Sequence, residues 1–180
     1  MDLSSPKTIS RIREQYELQL TKSLGQNFIT DKGVLDEIVE GAQAGPEDLV
    51  IEIGPGIGVL TARLAEQAAQ VTAVEIDRRL IPILSETLAE FDNVQIINQD
   101  ILKTDVTQMI RESRAEGRFT GRVHVVGNLP YYITTPIIMK LLEESVPADS
   151  ITVMMQKEVA DRIRSGPGSR TYGAISVVVQ

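Results

Sequence analysis

Short apolar runs alternate along this chain with segments in which apolar residues recur every three or four positions. The runs predict strands at 49–53, 71–76, 94–98, 122–127 and 150–156. The segments between them predict helices at 58–69, 79–90, 104–115 and 136–144. Strands and helices in strict alternation are typical of a parallel sheet with helices on both faces. The pattern therefore predicts an α/β fold built on a doubly wound, mostly parallel sheet.

The segment before the first strand is more polar, and its pattern is weaker. Residues 1–20 carry scattered apolar side chains and predict a short helix that leads an arm. A loop follows at 22–29, and Asp31 is placed to cap a helix whose apolar face includes Leu35. We therefore divide the chain into an arm with its loop, residues 1–30, and a main domain, residues 31–180.

Polar residues collect where the predicted strands end. They lie at 52–58, 75–77, 98–100, 128–131 and 156–158. The carboxyl ends of parallel strands share one edge of the sheet, and ligands of open α/β sheets bind there, near the reversal of strand order. We expect these segments to surround one ligand site.

The first of these segments reads Glu52-x-Gly54-x-Gly56-x-Gly58 and joins a strand to a helix. Glycine permits positive φ and lets backbone amides approach a ligand closely. The dinucleotide fingerprint would place its third glycine at position 59, where the chain has Val59. The spacing instead resembles the first motif of S-adenosylmethionine-dependent methyltransferases. The alternative is a loop that only packs its helix against the strand.

Two acidic residues at the next strand ends fit a nucleoside. Glu75 ends the second predicted strand, about 20 residues after the glycine motif, where such folds hold a ribose diol. Asp100 could accept a hydrogen bond from an adenine amino group, with Ile101 beside it as an apolar wall. Capping of the following helix is the alternative for Asp100, and the sequence leaves both open.

The run Asn128-Leu129-Pro130-Tyr131 after the fourth strand suits chemistry on an adenine. Adenine N6 is a weak nucleophile because its lone pair is delocalised into the ring. The side-chain oxygen of Asn128 and the carbonyl of Leu129 could each accept one N6–H and so free the lone pair. Pro130 fixes φ, and Tyr131 could stack on the base. The alternative is a proline turn with a buried tyrosine.

Composition narrows the class of protein. A chain of 180 residues suits one domain, and it has no cysteine, no signal-peptide core and no apolar run of membrane-spanning length. We therefore expect a cytoplasmic protein that does not contact membranes. His124, the single histidine, lies inside a predicted strand without companions, so we expect it to be structural and predict no metal site.

The net charge of −7 opposes broad attraction to a polyanion. Basic side chains nevertheless occur near both ends, at Lys7, Arg11, Arg13, Lys22, Arg162, Arg164 and Arg170. A solvated surface and a nucleic-acid-binding patch explain these residues equally well.

Together the motifs resemble the ribosomal RNA adenine dimethylase family. The similarity begins near Lys22, and its motifs are residues 22–28 (KSLGQNF), 51–58, 75–77, 99–100, 128–136 (NLPYYITTP) and 156–162 (QKEVADR). Within the family the small-subunit branch is more similar than the large-subunit branch, which usually has isoleucine where this chain has Leu129. The resemblance implies the Rossmann-like fold of class I S-adenosylmethionine-dependent methyltransferases.

The resemblance also implies roles for individual residues. Those assigned to S-adenosylmethionine are Gln26, Asn27, Ile29, Gly54, Gly56, Glu75, Ile76, Asp100, Ile101 and Asn128. Those assigned to the target base and the transfer step are Asn128, Leu129, Pro130 and Tyr131. Residues 1–30 would then include a loop that covers the cofactor.

The function implied is dimethylation of N6 on two adjacent adenosines near the 3′ end of small-subunit ribosomal RNA, in an assembly intermediate of that subunit. In the family the chain continues past residue 180 with a further strand and a helical domain, so we expect an incomplete methyltransferase domain here. We also predict a strand at residues 174–179, frayed or paired with another molecule, in an otherwise monomeric protein.

Three alternatives stay open. The first is a nucleic-acid-binding module, because relatives of this fold hold nucleic acid without needing to methylate it. The second is a large-subunit ribosomal RNA adenine methylase of the kind that confers macrolide resistance. A nicotinamide enzyme is disfavoured by Val59.

Overall fold

A computed structural model of the chain describes residues 2–18, 29, 31–129 and 132–179. The strands are β1 Leu49–Ile53, β2 Gln70–Glu75, β3 Val94–Asn98, β4 Val123–Asn128 and β5 Ser150–Met154. The helices are α1 Pro6–Gln15, α2 Lys32–Ala42, α3 Val59–Ala65, α4 Leu80–Thr87, α5 Val106–Ala115, α6 Thr134–Glu143, α7 Lys157–Ile163 and α8 Ala174–Val179. A 3-10 turn, Ile101–Lys103, follows β3. The five predicted strands are confirmed, each end falling within two residues of the prediction.

The strands form one sheet in the order β3-β2-β1-β4-β5, and every neighbouring pair is parallel. From β1 the chain builds outward to β3 on one side and then returns to add β4 and β5 on the other. This reversal places a topological switch point between β1 and β4, where a crevice opens at the carboxyl ends of the strands.

Apolar side chains of the sheet alternate between two cores. On β1, Val50 packs with apolar residues of α2, α3 and α4, whereas Leu49, Ile51 and Ile53 pack with those of α5 and α6. Alternation with a period of two is what a strand imposes when both faces are covered. The arrangement confirms the doubly wound α/β fold.

The start of α2 shows how local sequence positions an element. The side chain of Asp31 accepts hydrogen bonds from the backbone N–H of Gly33 at 2.8 Å and of Val34 at 3.3 Å. These bonds satisfy two of the N–H groups that have no partner inside the helix. The predicted cap is therefore confirmed.

The prediction for residues 174–179 is wrong, because they form helix α8. Ile175 is buried in the core shared with α6, and the buried Ser176 hydroxyl donates to the backbone oxygen of Arg162 at 2.6 Å. These contacts outweigh the modest preference of valine for strands. Since no strand forms there, the prediction that this segment pairs with another molecule as an edge strand is also wrong.

A buried polar cluster lies at the amino-terminal ends of the strands, opposite the carboxyl ends that carry the motifs. Asp48 precedes β1 and accepts hydrogen bonds from the N–H of Gly45 at 2.8 Å and of Arg122 at 2.7 Å. His124 lies 3.0 Å from Asp48 Oδ2 through Nε2 and 2.8 Å from Ser150 Oγ through Nδ1. The cluster ties the starts of β1, β4 and β5 together, as expected of a structural histidine.

Within the described residues, no helix combines the length and apolar character that crossing a membrane requires.

Candidate functional site

The switch point brings the glycine motif and the fourth strand end together. Gly54 and Gly56, which follow β1, line one pocket with Asn128, the last residue of β4, and with Ile29. The pocket has a volume of about 30 Å³, enough for a small chemical group rather than a nucleoside. A larger ligand would therefore place one small group in this pocket and extend along the open rim of the sheet.

The three motif glycines have positive φ, at 71° for Gly54, 61° for Gly56 and 89° for Gly58. A Cβ on Gly58 would lie 3.1 Å from the side chain of Leu88, so this glycine allows close packing of α3 and α4. A Cβ on Gly54 would meet nothing within 4 Å. The packing alternative thus holds for Gly58, whereas Gly54 borders open space that a ligand could occupy and Gly56 lines the same pocket.

Glu75 is 5% exposed at the end of β2. Burial raises the pKa of its carboxyl to about 7, although hydrogen bonds from the backbone N–H of Asp77, Gly56 and Ile76 favour the charged form. The bond from Asp77 is 2.8 Å long. The next side chain, Ile76, is 51% exposed. A carboxyl fixed by backbone N–H groups can accept hydrogen bonds from a sugar diol, and the exposed apolar side chain beside it can contact a flat base. The pair therefore suits a nucleoside.

Asn98 holds this strand end in place. It lies in the predicted segment 98–100 at the ligand site, but no individual role was assigned to it from the sequence. It lies opposite Glu75 in the register of β3 with β2. Its side-chain N–H donates to the backbone oxygens of Glu75 at 2.7 Å and of Ile76 at 3.3 Å. The sequence shows an amide side chain at the end of a predicted strand. Its hydrogen-bond partners could not be predicted, because they depend on the pairing of β2 with β3.

Asp100 caps the 3-10 turn, because its Oδ1 accepts a hydrogen bond from the N–H of Leu102 at 3.0 Å. The capping alternative is therefore realised. Its other carboxylate oxygen makes no hydrogen bond within the described part of the chain, so the predicted adenine contact stays compatible with the cap. Ile101 is buried and packs into the core with Val74.

The end of β4 is tightly packed. Leu129 is buried, and its N–H donates to the backbone oxygen of Met154 at 3.3 Å. A Cβ on Gly127 would lie 2.9 Å from the Leu129 side chain and 3.0 Å from the Ile53 oxygen. Gly127 therefore lets Leu129 fold in beside Asn128. The predicted residues Gln26, Asn27, Pro130 and Tyr131 lie outside the described part of the chain.

Glu52 lines the same pocket and was also missing from the predicted site residues. It is 1% exposed, and burial raises the pKa of its carboxyl to about 8. The Thr61 hydroxyl opposes this shift without forming a regular hydrogen bond, and the nearby Glu75 adds to it. The available signal was a carboxylate inside an otherwise apolar strand.

A larger cavity, about 320 Å³, lies between the N-terminal residues and α2 and α3. Its cations are already paired, Lys32 with Asp2 at 3.2 Å and Arg63 with Asp36. It shares Val59 with the smaller pocket, but none of its lining residues belongs to the motif segments at the strand ends, so we place the functional site at the smaller pocket. Among the described residues, no group of three or more His, Asp or Glu side chains could hold a metal ion.

The parallel sheet, the glycine motif at its switch point and Glu75 at the end of β2 define the Rossmann-like fold of class I S-adenosylmethionine-dependent methyltransferases. A sequence model of the family described as ribosomal RNA adenine dimethylase matches residues 17–180, and the chain belongs to that family.

Individual relatives agree with this assignment. The chain is 55% identical over 179 residues to the ribosomal RNA small subunit methyltransferase A of Alkaliphilus oremlandii, covering 99% of this chain and 61% of the relative. A dimethyladenosine transferase from Plasmodium falciparum superposes with a TM-score of 0.70 at 28% identity, covering 85% of this chain and 52% of that one. The 23S rRNA methyltransferase ErmE superposes with a TM-score of 0.63 at 34% identity, covering 80% of this chain and 53% of that one. The chain spans about 60% of the length of the curated relatives it matches.

Proposed function

We propose that the protein to which this chain belongs dimethylates N6 of two adjacent adenosines near the 3′ end of small-subunit ribosomal RNA, with S-adenosylmethionine as methyl donor. The observation that carries the proposal is the pocket shared by Gly54, Gly56 and Asn128 at the switch point. Family membership and the names of the curated relatives support the RNA substrate. We further propose that the protein acts in the cytoplasm, as a monomer, on an assembly intermediate of the small subunit.

The residues present fit this cofactor. Gly54 leaves space where any other side chain would project, and Glu75 is a buried carboxyl held at the rim. When bound, the cofactor supplies a methyl group on a positively charged sulfur. We assign its methionine part to Gly54 and Gly56, its ribose to Glu75, and its adenine to Ile76, Asp100 and Ile101. Gln26, Asn27 and Ile29 would cover it, as part of an arm that ends at residue 30.

In the transfer step, the protein chiefly positions the target amine. The Asn128 side-chain oxygen and the Leu129 carbonyl each accept one N6–H, which directs the nitrogen lone pair towards the methyl group. With the cofactor held by Gly54, Gly56 and Glu75, this arrangement would present the nitrogen to the methyl group that the cofactor supplies. The proton then leaves N6 for solvent, so no strong base is needed. On the family resemblance alone, we assign Pro130 to fixing the loop and Tyr131 to stacking on the base.

The test is transfer of labelled methyl groups to small subunits that lack the modification. It uses a version of the protein extended to the length of its relatives and the same version with Asn128→Ala. We expect two methyl groups on each of two adjacent adenosines with the unchanged protein and none with Asn128→Ala. RNA binding without incorporation would favour a nucleic-acid-binding module.

Large-subunit methylation is the second candidate, because ErmE is 34% identical over the compared region. Unmodified large-subunit RNA in the same assay separates the two. Methylation of that RNA but not of small subunits would overturn the proposed substrate.

A further inference from the structure

Tyr132 is an exposed aromatic side chain close to the residues assigned to methyl transfer. It is 60% exposed, whereas the other aromatic side chains that the structure describes are buried or half-buried. It follows Asn128 and Leu129, so the chain presents it just beyond the carboxyl end of β4, at the ligand edge of the sheet. Tyrosine is common at interfaces because its ring offers an apolar face and its hydroxyl tolerates water.

Buried neighbours fix the backbone near Tyr132. Leu129 is 1% exposed, Thr134 is fully buried, and Ile133 packs against the core shared by α5 and α6. A ring on such a support loses little conformational freedom when it contacts a partner. Tyr132 is therefore suited to hold a flat ligand group in a defined position.

Unpaired cations collect at the neighbouring strand end. Asn128 of β4 lies opposite Met154 of β5, and α7 begins at Lys157, shortly after β5. Residues 157–170 carry four basic and two acidic side chains, in a chain whose net charge is −7. The four basic residues, called here the α7 cations, are Lys157, Arg162, Arg164 and Arg170. All four are exposed, and none forms an ion pair within the described part of the chain.

Several cations elsewhere in the molecule are paired with acids. Arg118 pairs with Glu116 at 2.5 Å, and Lys140 pairs with Glu144 at 2.6 Å. A paired cation contributes little net field, whereas an unpaired one attracts a phosphate. The α7 cations therefore provide a local attraction for a polyanion that the overall charge of the chain does not.

We propose that the RNA strand beside the target crosses this side of the edge, with the base next to the target adenosine stacked on Tyr132 and its phosphates on the α7 cations. The inference rests on the proposed function and deepens it by naming where the flanking nucleotides are held. Aromatic rings combined with cations are the usual means of binding single-stranded nucleic acid. Because the two modified adenosines are adjacent, a purine always lies beside the target.

The test is steady-state methylation of small subunits that lack the modification, by the protein extended to the length of its relatives. Tyr132→Ala should raise the KM for small subunits roughly 5–100-fold, the effect of losing one base–aromatic stack, and should change kcat less. Tyr132→Phe keeps the ring and should restore the KM. Val177→Ala, at a 57% exposed apolar side chain of α8, is the control and should change neither constant.

The phosphate contacts are tested by varying salt in the same assay. Arg164→Gln should raise the KM and reduce the slope of log KM against log salt concentration by about 0.7, the value for one phosphate contact on a single strand. Arg111→Gln removes the same charge from an exposed position of α5 and should leave the slope unchanged. Equal slopes for the two variants would overturn the role of Arg164.

An unchanged KM for Tyr132→Ala, or an equal rise for Tyr132→Phe, would overturn the stacking role. Calorimetry with S-adenosylhomocysteine should give the same affinity for this chain with and without Tyr132→Ala, because Tyr132 does not line the pocket at the switch point. A loss of that affinity as large as the rise in KM would also overturn the stacking role. Absence of methyl incorporation by the unchanged extended protein would instead overturn the proposed function.

Discussion

At the residue scale, Glu75 and Asn128 occupy the ends of different strands and have different surroundings. Glu75 is buried and held by backbone N–H groups beside the exposed Ile76. Asn128 lies across the pocket, next to the buried Leu129. We therefore expect cofactor binding and methyl transfer to depend on different residues.

Glu75→Ala should weaken binding of S-adenosylhomocysteine roughly 10–100-fold, because it removes charge-assisted hydrogen bonds to the ribose. Asn128→Ala should weaken that binding much less than Glu75→Ala does, and should abolish transfer by the extended protein. Calorimetry and methyl incorporation measure the two effects, with Glu66→Ala as the exposed control. Equal loss of binding in the two variants would contradict the division of roles.

Substitutions of the motif glycines should likewise differ in their effects on stability and on cofactor binding. Gly54→Ala should destabilise the fold by about 1–2 kcal/mol through backbone strain and also weaken cofactor binding. Gly58→Ala should destabilise it more, because the added methyl group also meets Leu88. Chemical denaturation measures both, and Gly166→Ala, which meets nothing within 4 Å, is the control. A larger loss for Gly54→Ala than for Gly58→Ala would contradict the packing role of Gly58.

The sequence was enough to predict which motif residues lie together at the carboxyl ends of the strands. Gly54, Gly56 and Asn128 are examples, and the structure brings them to one pocket. Asn98 and Glu52 lay in segments expected at the ligand site but received no individual role, because their importance depends on contacts between elements. For Asn98 that contact is the register with β2, and for Glu52 it is burial beneath α3.

At the scale of elements, the apolar pattern located every strand of the sheet but misassigned α8. Its β-branched residues at 175 and 177–179 suit a strand by composition. What determines the helix is tertiary: Ile175 enters the core beside α6, and Ser176 bonds to the end of α7. A single sequence does not reveal these neighbours, so the error could not be avoided by pattern alone.

Ser176→Ala should therefore destabilise the fold by about 1–3 kcal/mol, because it removes the two hydrogen bonds that the buried Ser176 hydroxyl makes with the backbone of Gly173 and Arg162. Thermal unfolding followed by circular dichroism provides the measurement. Ser85→Ala, at an exposed position of α4, should change stability much less. An effect of Ser176→Ala no larger than that of the control would argue against this anchoring of α8.

At the scale of the whole molecule, strict alternation of elements predicted the parallel sheet and the shared edge of its motifs. The order β3-β2-β1-β4-β5 has a further effect on the charge at that edge. It places β1 beside both β2 and β4, so two buried carboxyls and one amide converge at the same end of the sheet. The pKa values of both carboxyls are raised by burial.

This convergence predicts how stability varies with pH. A raised carboxyl pKa means that the folded chain keeps protons which the unfolded chain has lost, so stability falls as pH rises from about 5 to about 8. The lowered pKa of Asp48 has the opposite effect, because it makes stability rise with pH, but only in the acidic range where that carboxyl titrates. Burial raises that pKa, and the bonds from Gly45, Arg122 and His124 outweigh the burial effect.

Chemical denaturation at several pH values between about 5 and 8 measures this slope without ligand. Glu52→Gln should make the decline shallower, and Glu66→Gln should not. Stability that is constant or rises over this range would contradict neutral carboxyls in the folded state.

The polar cluster at the other edge of the sheet has a practical consequence. His124 is the sole histidine, so the imidazole region of a proton magnetic resonance spectrum reports on one buried position far from the ligand. Its resonances should stay in place during a ligand titration and collapse only when the sheet itself comes apart. The molecule thus carries an internal reporter that distinguishes global unfolding from events at the opposite rim.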